Sequence, residues 1–360
     1  LSDSCKLSIC IPTLNRGEFI GETLDAIVPQ LTPEVELVIV DGGSTDDTES
    51  IVRAHAAHCD RIRYVRRDAA DSIPSNEGFD RDCDWAVELA RGRHCWLFTD
   101  DDLIVPGAIR TVLDDLADGD PDLLVIDAEV RDLALKQVLD GHRLSLSERR
   151  DYGPDDRDAF MADAGSSLSF VGTVIIRRAS WLERDRASYY GTGFIHVCVI
   201  FQPPALSHIR ILPLSLVQIR MGNAAWIGRA FEIWMFQWPA LIWGFEGYSE
   251  DAKAKVRPRE PWRQLRSLLV HRAYGSFGRP EYRKHLAHRL GRLARLRVQL
   301  MLMVPGRLAH IMTIGALAIS PLRRGSFAYN LLVSSRNSNP LSRAIGRLAG
   351  QPLPSRPGNH

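Results

Sequence analysis

Cys95-Trp96-Leu97-Phe98-Thr99-Asp100-Asp101-Asp102-Leu103-Ile104 is an apolar run that ends in three consecutive carboxylates. The run has the length of a buried strand, so the strand delivers its acids into one loop. Like charges this close raise one another's pKa unless a metal or a basic group neutralises them. Hard divalent ions such as Mg²⁺ and Mn²⁺ take carboxylate oxygens as ligands. The same residues also suit an acidic or helix-capping loop, and the flanking sequence has to separate the two readings.

Outward from this stretch, strands and helices alternate. Residues 79–90 read as a helix before it, and residues 106–116 as one after it, with Pro106 in the first turn. Residues 7–12 form an apolar strand, Thr13-Leu14-Asn15-Arg16-Gly17 a turn, and residues 18–28 a helix. Residues 35–40 repeat the pattern and end at Asp41, where Gly42-Gly43-Ser44-Thr45 lead into a helix capped near Thr45 or Asp46. Residues 61–65 and 123–126 are further strands. This alternation predicts an α/β fold with a mostly parallel sheet covered by helices on both faces. Ligands bind such sheets at the carboxyl ends of the strands. Residues 12–15, 41–44 and 100–102 all fall there, which favours a metal or nucleotide site.

Later segments are less regular. Residues 132–163 are highly charged without a clean period and read as a flap beside the site. Residues 170–176 read as a strand, 194–201 as a short helix, 209–219 as one or two strands broken by Pro213, and 224–243 as a long Trp-rich helix.

The chain has 360 residues, 45% of them hydrophobic, enough for a large core. Cys5, Cys10, Cys59, Cys83, Cys95 and Cys198 lack metal-site spacing and fit reduced thiols of a cytosolic protein. The polar first residues lack a signal-peptide pattern, which points away from secretion. The net charge of +1 hides an asymmetry: from Arg257 onward there are 19 Lys/Arg and 2 Asp/Glu. Neither a Gly-x-Gly-x-x-Gly fingerprint nor a Gly-x-x-x-x-Gly-Lys-Ser/Thr loop is present, so a Rossmann dehydrogenase and a P-loop ATPase are both disfavoured.

Three segments together, residues 7–16, Val38-Ile39-Val40-Asp41-Gly42-Gly43-Ser44-Thr45-Asp46 and Phe98-Thr99-Asp100-Asp101-Asp102, resemble the family 2 glycosyltransferases with the GT-A fold. Gly78-Phe79-Asp80-Arg81-Asp82 and residues 90–97 are similar to the abequosyltransferase-like branch, which makes surface polysaccharides such as O-antigen. The resemblance is strong over residues 7–126 and fades beyond 201. It implies inverting transfer of a sugar from a nucleoside-diphosphate sugar to a hydroxyl of a glycan or lipid-linked acceptor, with Mn²⁺ or Mg²⁺. By that similarity Pro12, Thr13, Asn15, Asp41 and Gly43 line the nucleoside pocket and Asp100 faces the ribose. Asp101 is the main metal ligand, with Asp102 beside it. Arg81 is a candidate for the donor phosphates, and Asp71 and Ser72 for the nucleobase.

Inversion requires a general base. Where many family members carry an acidic pair, this chain has Gly191-Thr192-Gly193-Phe194-Ile195-His196-Val197. His196 is therefore the candidate base, with Asp163 in reserve and Asp185 a poorer choice.

The expected organisation is a transferase domain over residues 1–220 (nucleotide half 1–130, acceptor half 131–220), a helical basic region over 221–342 and a flexible tail over 343–360. In the basic region Leu265, Leu268, Leu269, Leu286, Leu290, Leu293, Leu296 and Leu300 recur at helical spacing between arginines. This is the pattern of an interfacial amphipathic helix. Residues 298–319 are apolar but carry Pro305, Arg307 and His310, which favours attachment over spanning. A cytoplasmic enzyme held at the inner face of the membrane follows, with a homo-oligomer contact as the other use of the stripe. Nucleic acid is disfavoured, since the segment lacks alternating aromatic and basic residues. Two other functions compete: nucleotidyl transfer, and a carbohydrate-binding or assembly subunit without turnover.

Overall fold

The computed structural model describes residues 5–67, 74, 77–319 and 325–353. The chain divides into two units: Leu1–Glu129, Gly141–Ile219 and Phe245–Val256 form one, and Val130–Asp140, Arg220–Gly244 and Arg257–His360 the other.

The first unit is built on β1 (Leu7–Thr13), β2 (Val35–Asp41), β3 (Ile62–Arg66) and β4 (His94–Leu97), which pair in parallel. Every residue of β1 and β4 is buried, which is why these strands read as unbroken apolar runs instead of alternating. The helices α1 (Gly17–Ile27), α2 (Thr48–Ala56), α3 (Gly78–Leu89) and α4 (Ala108–Ala117) connect and follow them. Then come β5 (Leu103–Ile104), β6 (Leu123–Arg131), β7 (Val138–Asp140), β8 (Arg150–Tyr152), β9 (Val174–Arg177) and β10 (Ile209–Arg220). Helices α5 (Arg157–Ala164), α6 (Arg178–Leu182) and α7 (Ile195–Phe201) are interspersed.

The strand order is β3-β2-β1-β4-β9-β6-β10-β5, with β7 on β6 and β8 on β10. The sheet is mixed, which corrects the mostly parallel expectation: β9 is antiparallel to β4 and β6, and β5 and β8 are antiparallel to β10. A parallel strand needs a crossover of about a dozen residues or more. Residues 132–163, read as a flap, are spent on β7, β8 and most of α5, and only two short 3-10 turns, Ser167–Ser169 and Val171–Thr173, lead into β9. Pro213 does not break β10. It falls between the stretches that pair with β8 (Ile209–Ile211) and β5 (Val217–Gln218).

The second unit holds β7 and the end of β6 and is otherwise helical. The expected long helix over 224–243 is a succession of a 3-10 turn, a short α-helix, a π turn (Ile233–Gln237) and the helix Trp238–Gly244. The wide turn accommodates Phe236, whose ring stacks on His285 with centroids 4.9 Å apart. Phe231, Met235, Trp262, Leu268, Phe277, Leu286 and Leu290 form one apolar cluster. The leucines that form one stripe in sequence thus part company: Leu268, Leu286 and Leu290 are core, and Leu293, Leu296 and Leu300 are exposed. The helix Pro340–Leu348 occupies the start of the segment expected to be a flexible tail.

Candidate active site

Register brings the polar clusters to one rim. Thr13 pairs with Asp41 across β1 and β2, and Cys10 pairs with Leu97 across β1 and β4, so all three strands point their carboxyl ends the same way. Pro12 and Thr13 are buried there. Asp41 is fully buried and organises the turn after β2. Its Oδ1 accepts hydrogen bonds from the backbone N–H of Gly43 (2.9 Å) and Ser44 (2.7 Å), and its Oδ2 accepts one from the Tyr64 hydroxyl (2.6 Å). Gly43 sits at φ +96°, a region in which glycine pays no steric penalty. Asn15, also left-handed at φ +53°, joins this turn to the one after β1. Its N–H donates to Ser44 Oγ (2.8 Å) and its Oδ1 accepts from the Thr45 N–H (2.8 Å).

Arg16, a turn residue in the sequence, is the counter-ion of the aspartate cluster. Its Nε lies 3.1 Å from Asp100 Oδ1 and its Nη2 pairs with Asp101 Oδ2. Burial, and then the charge of Asp101, push the Asp100 carboxyl up to about 6 against the opposing pull of Arg16. Asp102 accepts a hydrogen bond from Thr99 Oγ1 (2.5 Å), and its carbonyl accepts one from Thr23 Oγ1 (3.0 Å), which fixes the loop on α1. Among the described residues no three His, Cys, Asp or Glu side chains converge as a complete metal cage. The set is all oxygen, however, and a magnesium-type ion is commonly held by one or two carboxylates plus substrate phosphates.

The two residues expected to activate the acceptor already have partners within the chain. His196 is buried in α7, with Nε2 2.8 Å from the Leu168 carbonyl oxygen, and burial pushes its imidazole down to about 4. It packs; no hydroxyl from outside reaches it. Asp163 Oδ2 accepts hydrogen bonds from Arg150 Nη1 (2.9 Å) and the Tyr152 hydroxyl (2.8 Å). Tyr152 pairs with Ile209 at the start of β10, whereas the aspartate loop returns to β10 at Val217 and Gln218. At about 3.3 Å per residue these positions are some 25 Å apart. Arg81 is engaged with Glu77 (2.7 Å) and lies over the Tyr190 ring, 4.5 Å from its centroid. Asp185 serves an exposed turn, accepting from the Ser188 N–H. Asp71 and Ser72 lie outside the described residues.

The stretch where a base was expected does receive a carboxylate, from elsewhere in the chain. Asp80, buried on α3, accepts the backbone N–H groups of Gly191 and Gly193 (2.8 Å each) and of Ile195 (3.2 Å). It closes the loop onto the start of α7. In sequence it lies in the Gly78-to-Asp82 stretch that resembles the abequosyltransferase-like branch, as an acid in the first turn of a helix, which ordinarily means an exposed one.

Residues 8–182 match the family model "Glycosyl transferase family 2". That stretch carries the likeness to family 2, and the chain is a glycosyltransferase. It is 28% identical over 290 residues to the abequosyltransferase RfbV of Salmonella typhimurium, covering 75% of this chain and 85% of that one. The fold is similar to that of Staphylococcus aureus TarS residues 1–349 (TM-score 0.51, 16% identity, 98% of this chain and 93% of that one). It is also similar to the Pyrobaculum calidifontis mannosyltransferase PcManGT, solved with GDP-Man and Mn²⁺ (TM-score 0.50, 17% identity, 83% and 85%). These likenesses give the glycosyltransferase its GT-A type mixed sheet and helical C-terminal region.

Proposed function

We propose that this glycosyltransferase moves a sugar, with inversion, from a nucleoside-diphosphate sugar to a hydroxyl of a glycan or lipid-linked saccharide during surface polysaccharide synthesis. The observation that carries this is the buried Asp100-Asp101-Asp102 loop, held by Arg16 at the rim that Asn15 and Asp41 shape. The likeness to an abequosyltransferase over three quarters of the chain supports the substrate class.

In this reading Asp41, Asn15 and Gly43 shape the nucleoside pocket and Asp100 faces the ribose. Asp101, with Asp102 beside it, would hold Mg²⁺ or Mn²⁺, which supplies positive charge where the diphosphate leaves. Arg16 keeps the acidic loop assembled before substrate arrives. The test is calorimetric binding of CDP-, dTDP-, UDP- and GDP-sugars with and without Mn²⁺. One donor class should bind in a Mn²⁺-dependent way, and D101A should abolish that binding while the protein stays folded. Binding by D101A equal to wild type refutes the assignment.

A second observation favours work at a membrane surface. Among the described residues no single helix is long and apolar enough to cross a bilayer, and the pair Arg292–Met303 and Gly306–Ile319 is bent by 95°. Leu293, Leu296, Leu300 and Met303 nevertheless form an exposed stripe, with Leu308, Met312 and Ile319 exposed on the next helix. Arg292, Arg295, Arg297 and Arg307 lie among them. Apolar side chains set between arginines suit an anionic lipid surface, where lipid-linked acceptors reside.

A further inference from the structure

We infer that His142, oriented by the buried carboxylate of Asp127, is the base that activates the acceptor, an inference that rests on the sugar-transfer reading above. His142 Nδ1 lies 2.9 Å from Asp127 Oδ2, with the imidazole 71% exposed and the carboxylate 0%. A carboxylate only accepts, so the proton sits on Nδ1 and Nε2 offers its lone pair outward. Asp127 Oδ1 accepts the backbone N–H groups of Ala128 (2.8 Å), Arg143 (2.9 Å) and Leu144 (3.0 Å). Three such donors fix the carboxylate in one orientation and clamp the loop that carries the imidazole. Ser215 Oγ, 3.2 Å from Nδ1, donates to the Gly141 carbonyl oxygen (3.0 Å) and pins the other side of the same loop. A surface histidine needs none of this apparatus, whereas a base held in one tautomer and one direction does.

The pair also stands where an acceptor has to be. Val174 of β9 pairs with Leu97 of β4 on one side and with Val125 of β6 on the other. Both neighbours run antiparallel to β9, so Thr99 and Asp127 each follow two residues later toward the same rim. Two strand spacings separate them by about 10 Å. From the other direction, Ile104 pairs with Val217 and Leu103 with Gln218, so Asp102 comes level with β10 four residues beyond Ser215, about 13 Å along the strand. The aspartate loop and the loop that carries His142 therefore flank the same stretch of rim.

The step balances. The acceptor O–H gives its proton to His142 Nε2 as the oxygen forms a bond to the anomeric carbon. The bond from that carbon to the phosphate oxygen breaks, and its electron pair leaves with the nucleoside diphosphate. The imidazolium then returns the proton to water.

The experiment compares wild type with H142Q, H142A and D127N. Nucleoside diphosphate release is followed with UDP-, GDP-, CDP- and dTDP-hexoses and a bacterial membrane extract as acceptor, alongside calorimetric donor binding and thermal unfolding. H142Q should lose about 100-fold or more in kcat, with donor affinity within about twofold and an unchanged Tm. Imidazole should restore part of the rate of H142A. D127N, which offers an amide N–H₂ where Nδ1 needs an acceptor, should lower kcat without moving donor KM. The remote exposed pair His208 and Asp151 (3.1 Å) supplies the control, since H208Q should keep full activity. A kcat for H142Q within about threefold of wild type, or loss of donor binding in H142Q, overturns the assignment of His142 alone. A wild-type protein that binds none of these donors overturns the sugar-transfer reading and the dyad's role together.

Discussion

Replacing His196 with glutamine separates a packed histidine from a catalytic one. Burial lowers the folded-state pKa to about 4 from an ordinary 6.5. A folded pKa below the unfolded one means that the unfolded chain binds more protons between these values. The contribution to stability is thus fully present above about pH 6.5 and is lost as pH falls toward 4. A difference of about 2.5 units corresponds to roughly 3 kcal/mol. Glutamine does not titrate and can still donate a hydrogen bond to the Leu168 carbonyl, the one bond that Nε2 makes. Urea unfolding of both proteins at pH 7 and pH 4.5 should show wild type losing roughly 2 to 3 kcal/mol more than H196Q. Sugar transfer by H196Q at pH 7.5 should stay within a few-fold of wild type. Parallel pH dependences would refute the burial argument, and an inactive, folded H196Q that still binds donor would return the base to His196.

Three other outcomes follow from the geometry. D80A leaves the N–H groups of Gly191, Gly193 and Ile195 without their acceptor, which at about 1 kcal/mol or more each should lower Tm by roughly 10 °C; an unchanged melt would show that the loop does not depend on it. G43V forces a β-branched residue to φ +96° and should cost about 1–2 kcal/mol while raising donor KM, as read by unfolding and initial rates. L296E with L300E places two charges on the exposed stripe and should abolish sedimentation with phosphatidylglycerol vesicles while leaving transfer to a soluble saccharide acceptor unchanged.

The nucleotide half is legible because its signals are local. Buried parallel strands have to be apolar throughout, so residues 7–12, 35–40 and 94–99 announce themselves, and an acid at the end of such a run marks the rim. Applied to Leu123-Leu124-Val125-Ile126-Asp127, the same rule singles out Asp127. The strand runs on to Arg131, past the apolar residues that mark it in sequence, and the partner of Asp127, His142, lies in a charged segment without a period. His196 misled for the converse reason: a histidine in the right stretch of sequence carries no sign of its burial. Arg16 and Asp80 are ordinary turn and helix residues until their long-range partners are known.

The sequence by itself determined that strands and helices alternate, that acids gather where strands end, and that the C-terminal segment is rich in arginine, since these follow from residue type and spacing. Tertiary structure alone decided the direction of β9, the pairing of Arg16 with Asp100 and Asp101, and which leucines face outward. It alone also decided which histidine meets solvent beside a buried carboxylate. Such contacts join residues far apart in the chain, and burial and charge pairing are properties of that packing.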